Sequence, residues 1–303
     1  MPHQASSLGP SRVTAFHTDQ RDRFWIATHN GLNRISRMGN AVQSLHRPDR
    51  DQVGSATFNV FAMRDACGMH LLVLSSQGPW LLDTVNARWT SLLAPGKDEG
   101  WQPTSYHAGD RGDIWLANHR SLWRLDCSGL SLQRVAQVEA SRYPSAWSGP
   151  DLLASGPDGR ILWASKRGLM RQSGPSDPLG FQPVLPSSDF ADIVPRAVHV
   201  DQRGRVWGLV GDGVVRIDGE RLEHWTRAVL LDDALGENGN YRLESAVSGD
   251  GVFWLAGLFG LAVQSREDQA LELIRHDPAN PASIPPSLEH VGYRVFSDRF
   301  GVL

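Results

Sequence analysis

Short apolar runs alternate with polar turns along this chain, and the alternation repeats. From Asp19 to Ile35 a polar turn (Asp19-Gln20-Arg21-Asp22) leads into Phe24–Thr28. A tight two-residue turn closed by Gly31 follows, and then a second run, Leu32–Ile35, with Arg34 inside it. Two short runs joined this way predict a β-hairpin. With Trp25 as anchor, the same frame returns at Leu71, Trp115, Leu162 (beside Trp163), Trp207 and Trp254, at spacings of 46, 44, 47, 45 and 47 residues. A glycine follows six residues after the anchor at Gly31, Gly168, Gly213 and Gly260. Gly78 follows one residue later, and Ser121 takes the place in the third copy. Three residues before the anchor stands Gly68, Gly112, Gly159, Gly204 or Gly251, with Asp22 in the first copy. Asp19, Asp65 and Asp201 open the turn, whereas Gly109 does so in the third.

Each repeat predicts four short antiparallel strands. The first is Val13–Phe16, Val60–Met63 or Ala197–Val200. An Asp-x-x-Gly turn of type I follows, then Phe24–Thr28, Ile114–Asn118 or Val206–Val210. The third strand is Leu32–Ile35, Leu122–Leu125 or Val214–Ile217. The fourth is Ala41–His46, Arg88–Leu93, Leu132–Val138, Leu222–Thr226 or Leu271–His276. Repeats of this length and content predict an all-β protein, a β-propeller of four-stranded blades. Complete blades are expected at 11–50, 56–95, 102–140, 150–186, 195–228 and 243–277, and the start of a seventh at 291–303, in one domain spanning 1–303. A single blade cannot bury both faces of its sheet, so the anchor Trp and Leu residues are expected to pack between blades. Arg142–Pro150 and Gln172–Ser188, rich in Ser, Pro and Gly, read as inter-blade or edge loops. The seventh unit opens at Tyr293–Phe296 and stops inside a hairpin at Leu303. It reads as a truncated product or a fragment, with an exposed edge that predicts self-association.

The repeats resemble the two-component regulator propeller repeat, whose pattern is roughly Asp-Arg-x-Gly-x-Leu-Trp-Ile-Gly-Thr-x-x-Gly-Leu-x-Arg-x-Asp. Asp201-Gln202-Arg203-Gly204-Arg205-Val206-Trp207 and the run Trp25 to Arg34 carry the likeness. Ile274-Arg275-His276-Asp277-Pro278-Ala279-Asn280-Pro281-Ala282-Ser283-Ile284 is similar to the inter-blade segment of that family. Leu71, Gly109 and Ser121 depart from the pattern. The resemblance implies the periplasmic sensor half of a bacterial receptor, held in a membrane-anchored dimer. A histidine kinase or diguanylate cyclase would be the output domain, and its motifs are absent from this sequence. It implies ligand sensing, often of oligosaccharides, with no catalysis and no cofactor.

Composition narrows the alternatives. The chain has 303 residues and a formal net charge of −3. Without a basic excess, nucleic acid is not an expected partner. No apolar run approaches the roughly 18–20 residues needed to cross a membrane. The first 20 residues hold no apolar core of a signal peptide. A bridge between the two cysteines, Cys67 and Cys127, is not expected. One falls in the first turn of its blade and the other after the third strand, a radial offset larger than usual bridge spacings.

Candidate chemistry lies in the turns between second and third strands, on the blade face expected to surround a central channel, where loops carry function. The turn pairs His29-Asn30, His119-Arg120 and Lys166-Arg167 place bases there. Ser76-Gln77, Gly211-Asp212 and Leu258-Phe259 do not. Arg12, Arg196, Arg242 and Arg294 enter first strands near the same rim. A basic rim on a mildly acidic protein favours a small-molecule or oligosaccharide ligand with an acidic group held in forked Arg contacts. The alternative is that these are ordinary solvated turn residues. His17, His107 and His199, each eight residues before an anchor, are expected to pack between blades, because alternate blades keep them from converging on one metal ion. Arg34, Arg124, Arg171 and Arg216, each nine after an anchor, are expected to lay their stems over a neighbouring blade and pair with carboxylates. The turn Asp residues read as turn-formers. Two other functions compete with sensing: a propeller lyase acting on a polysaccharide or cyclic peptide through His or Tyr, and a protein-docking platform.

Overall fold

The computed structural model describes residues 12–29, 31–35, 42–45, 58–93, 105–109, 112–138, 152–156, 158–174, 177–184, 197–201, 203–210, 213–219, 221–226, 243–249, 252–257, 260–264, 272–274 and 276–284. Among these every regular element is a strand. The first sheet holds β1 (Val13–Thr18), β2 (Phe24–Thr28), β3 (Gly31–Ile35) and β4 (Val42–Leu45). The second holds β5 (Val60–Ala66), β6 (His70–Ser75), β7 (Gly78–Asp83) and β8 (Arg88–Ser91). The third holds β9 (Ser105–Ala108), β10 (Ile114–Ala117), β11 (Ser121–Asp126) and β12 (Ser131–Gln137). The fourth holds β13 (Leu153–Ser155), β14 (Ile161–Ser165), β15 (Gly168–Gly174) and β16 (Asp177–Pro183). The fifth holds β17 (Ala197–Val200), β18 (Val206–Val210), β19 (Gly213–Asp218) and β20 (Arg221–Thr226). The sixth holds β21 (Leu243–Gly249), β22 (Val252–Gly257), β23 (Gly260–Gln264) and β24 (Glu272–Ile274). In every sheet the strands lie in chain order. These four-stranded meanders are the blades of a β-propeller. The seventh unit, at 291–303, lies outside the described residues, as does 142–150.

The repeat frame becomes register. Trp25 pairs with His17 on one side and Arg34 on the other, and Trp207 with His199 and Arg216. In four of the first turns the fourth residue donates its N–H to the first carbonyl: Asp22 to Asp19, Gly112 to Gly109, Gly159 to Gly156 and Gly204 to Asp201. That residue is left-handed in each case, with φ of 58° at Asp22 and 79° at Gly112. Glycine takes that region without a side-chain penalty, and Asp is among the few other residues that tolerate it. This explains both the recurring glycine and the one substitution in the series.

Two compact units divide the chain. One comprises Met1–Thr104 with Leu122–Val135, the other Ser105–Ser121 with Ala136–Leu303. In the first, Trp25, Ala27, Leu32 and Leu45 of the first sheet share a buried cluster with Met63, Leu71, Val73, Trp80, Leu82 and Trp89 of the second. Phe58, Trp80 and Trp89 meet edge to face with centroids 5.7–6.5 Å apart, the arrangement ring quadrupoles favour. Polar contacts stitch the same two sheets together. Thr14 donates its hydroxyl to the Val60 carbonyl, Arg23 reaches the Thr84 carbonyl at 2.7 Å, and His17 Nε2 lies 3.3 Å from Asp65. In the second unit, Leu152, Ala154, Leu162 and Ala164 pack on Val198.

Two sequence expectations need correction. Cys67 and Cys127 form a disulfide, with Cα atoms 5.0 Å apart. Both belong to the first unit, in the turn after β5 and the turn after β11. The expected radial offset counts only the spacing of strands within a blade. The two cysteines belong to different sheets, and sheet twist re-aims the turn at the end of each strand. The stretch Gln172–Ser188 is not a loop throughout, because it contains the end of β15 and all of β16. Prolines are tolerated at a sheet edge, where the outer N–H groups have no ladder partner, and β16 is the edge strand of its sheet. Its Phe181 meets the edges of Trp115 and Trp163 at 6.1 and 6.4 Å.

Candidate functional site

The anchors Trp25, Leu71, Trp115, Leu162 and Trp207 are buried core, as is Trp163, whereas Trp254 is half-buried. Their polar surroundings were only partly legible in the sequence. Asp19 accepts from the backbone N–H groups of Arg21 and Arg23, from Arg23 Nε at 2.7 Å and from Trp25 Nε1 at 2.9 Å. Asp201 repeats this with Arg203, Arg205 (Nε at 2.5 Å) and Trp207 Nε1 at 3.0 Å. Burial raises the carboxyl pKa of Asp19. The bonds from Trp25, Arg23 and Arg21 outweigh that and hold it below the usual carboxylate range. The same balance, led by burial and reversed by Trp207 and Arg205, lowers Asp201. These Asp residues are therefore turn-formers that also fix the anchor indole. The spacing Asp-x-x-x-Arg-x-Trp is the sequence signal for the pair. At Asp65 the corresponding positions hold Met69 and Leu71, and Asp65 lies against His17 instead.

Two of the third-strand arginines, Arg34 and Arg216, stack on their own sheet's anchor. Arg34 lies 5.9 Å over the Trp25 ring and Arg216 5.3 Å over Trp207, because cross-strand pairing sets each Arg beside that Trp. Pairing with carboxylates holds for Arg171 with Asp158 at 2.6 Å and for Arg216 with Glu223. Arg34 bonds Gln43. The recurring histidines serve packing: His107 Nε2 contacts Ser155 Oγ of the next sheet at 2.6 Å. Burial pushes the His199 pKa down, partly offset by Asp201. Among the described residues no group of His, Cys, Asp and Glu could hold a metal ion. Nor is any helix there long and apolar enough to cross a membrane.

The structure brings some of the basic turn residues together. Asn118 starts the β10–β11 turn, and its Oδ1 accepts from the N–H groups of Arg120 and Ser121, both at 2.8 Å. Ser165 does the same for the β14–β15 turn, taking the Arg167 N–H at 3.1 Å and donating to the Gly168 carbonyl at 2.9 Å. The Lys166 N–H donates to the His119 carbonyl at 2.7 Å, and Trp163 Nε1 donates to the Asn118 carbonyl at 2.9 Å. The turns are thus docked by two bonds within the second unit. His119 and Lys166 are 8% and 6% exposed, Arg120 is half-buried and Arg167 is exposed. Burial and then the charge of Arg120 push the Lys166 pKa down. In the first unit, His29 is half-buried and its N–H donates to the Arg12 carbonyl at 3.1 Å. Asn30, Arg196 and Arg242 lie outside the described residues.

No protein-family profile and no curated protein matches the chain. Solved structures do. The chain is similar to the extracellular domain of the hybrid two-component system BT4673 from B. thetaiotaomicron, with 18% identity, a TM-score of 0.60, and coverage of 97% of this chain and 36% of that one. The corresponding domain of BT3049 gives 15%, 0.59, 95% and 38%. YCF48 bound to D1 peptide gives 16%, 0.55, 90% and 84%. The chain thus spans little more than a third of the two extracellular domains. The likeness establishes the propeller fold expected from the repeats.

Proposed function

We propose that this chain is a ligand-sensing β-propeller of an extracytoplasmic bacterial receptor, binding a small molecule or oligosaccharide without catalysing its conversion. The observation that carries this reading is the docked pair of turns His119-Arg120 and Lys166-Arg167. An ordinary solvated turn exposes a lysine. Here Lys166 and His119 are buried at turn positions, and the two turns are bonded to each other. Turns fixed to each other in this way hold their basic residues in place before a ligand arrives, which favours recognition. The proposed binding residues are His29, Asn30, His119, Arg120, Lys166, Arg167, Arg196 and Arg242. The fold shared with extracellular domains of two-component systems supports the receptor setting. The Cys67–Cys127 disulfide supports an oxidising compartment. A panel of oligosaccharides screened by thermal melting tests the reading. A sensor gives a ligand-dependent rise in Tm and no new ultraviolet-absorbing product, whereas such a product identifies the lyase alternative.

A second reading is protein docking, favoured by the likeness to YCF48 bound to a peptide. It is distinguished by capture of a protein partner together with no small-molecule shift in Tm.

A further inference from the structure

The Cys67–Cys127 bridge joins the β5–β6 turn to the β11–β12 turn, and each turn also has bonds of its own. In the first, His70 Nδ1 lies 3.1 Å from the Cys67 carbonyl oxygen. Thr84 donates to the Met69 carbonyl from its N–H at 3.0 Å and from its hydroxyl at 2.6 Å. In the second, Asp126 Oδ1 accepts from the Ser128 N–H at 3.0 Å and from the Ser128 hydroxyl at 2.7 Å. Opening the bridge therefore leaves both turns held locally, with the two cysteines placed to close it again. Two features favour opening. Cys127 is exposed and Cys67 half-buried, so an attacking thiol reaches the bridge from the Cys127 side. Cys67 is left-handed, with φ of 47°, whereas Arg21, Asp158 and Arg203 at the same place in other first turns are not. A side chain disfavours that region. Bridges that are strained or solvent-exposed are the ones that exchange readily with thiols, and this bridge is both.

We infer that the Cys67–Cys127 bridge is a redox switch, opened by a dithiol in the folded protein and closed again by oxidation. A thiolate of the dithiol attacks Sγ of Cys127, the S–S bond breaks, and the Cys67 sulfur leaves and takes up a proton. The second thiol of the reagent then attacks its own sulfur in the mixed disulfide and frees the Cys127 thiol. Two electrons and two protons pass to the bridge, and the dithiol ends as a cyclic disulfide. Reduction removes the covalent tie between Met1–Thr104 and Leu122–Val135. The buried cluster shared by the first two sheets includes neither cysteine, so it holds in the reduced chain. The switch stands apart from the ligand reading, because neither turn carries a proposed binding residue.

The test follows thiol release from the full oxidised chain in native buffer as dithiothreitol is varied, by acid quench, alkylation and mass spectrometry. The expected rate rises in proportion to dithiothreitol and exceeds the global unfolding rate, measured by urea jump, by about tenfold or more. The reduced chain keeps its near-ultraviolet circular dichroism, its Tm falls, and oxidised glutathione restores the bridge and the parent Tm. With glutathione as a monothiol reductant, the acid-trapped mixed disulfide is found on the peptide containing Cys127. The inference is overturned if thiols appear at the unfolding rate whatever the dithiothreitol concentration. It is also overturned if the reduced chain loses its near-ultraviolet signal, if oxidised glutathione fails to restore the bridge, or if glutathione is trapped on Cys67 alone.

Discussion

Removing the Cys67–Cys127 bridge has a calculable cost. The two cysteines are 60 residues apart in sequence. In the chain-entropy account, closing a loop of that length removes about 14 cal/mol/K from the unfolded ensemble, about 4 kcal/mol at 25 °C. The bridge also joins the two stretches of one compact unit, because Cys67 lies in Met1–Thr104 and Cys127 in Leu122–Val135. Breaking it therefore removes a covalent tie between the two stretches as well as loosening the unfolded chain. The Cys67→Ser/Cys127→Ser variant should lose about 4 kcal/mol in urea unfolding monitored by tryptophan fluorescence. At about 2–4 °C per kcal/mol for a domain of this size, Tm should fall by roughly 10 °C. Reductant should lower the parent to the level of the variant and leave the variant unmoved. A double variant as stable as the oxidised parent within about 1 kcal/mol would refute the reasoning. So would a parent indifferent to reductant once free thiols are titrated.

Three further outcomes follow from the turns. Trp207→Phe removes the indole donor to the buried Asp201 carboxylate and also leaves a cavity where the larger ring was buried, so it should cost about 2–4 kcal/mol in denaturant unfolding. Asp19 and Asp201 have folded pKa values below their unfolded ones. Each therefore stabilises the fold above pH about 4 and loses that contribution as pH falls toward its folded value. Urea midpoints measured from pH 7 to pH 3 should decline less steeply in Asp19→Asn/Asp201→Asn than in the parent, from a lower starting point. Gly112 is left-handed, and a Cβ there would meet nothing within 4 Å. Backbone conformation alone then sets the cost, so Gly112→Asp should lose under about 1 kcal/mol and Gly112→Val about 2 kcal/mol by thermal melting.

The blades were legible because they rest on local rules. Short apolar runs, the left-handed fourth turn residue and the turn glycine all act within a few residues, so the bounds of Phe24–Thr28, Val206–Val210 and Ala197–Val200 match β2, β18 and β17. What depends on how sheets face one another was not legible. The Cys67–Cys127 bridge joins turns of two sheets and requires their twist. Strand β16 was hidden by a composition that reads as loop, because an edge strand tolerates proline where an inner one does not. Arg34 and Arg216 were rightly read as structural, yet their partner is the anchor ring across the ladder, a matter of register. At the candidate site the sequence located the basic turns. It carried no sign that the turns of the third and fourth repeats bond to each other, or that Lys166 is buried.

Sensing without catalysis is tested most directly by one titration. The full chain is mixed with a panel of neutral and acidic oligosaccharides while Tm and ultraviolet absorbance are followed in the same samples. The account predicts a saturable rise in Tm with at least one member, weakened in Arg120→Gln and Lys166→Met, at constant absorbance. Growth of an unsaturated product over time, or a flat Tm across the panel together with capture of a protein partner, would contradict it.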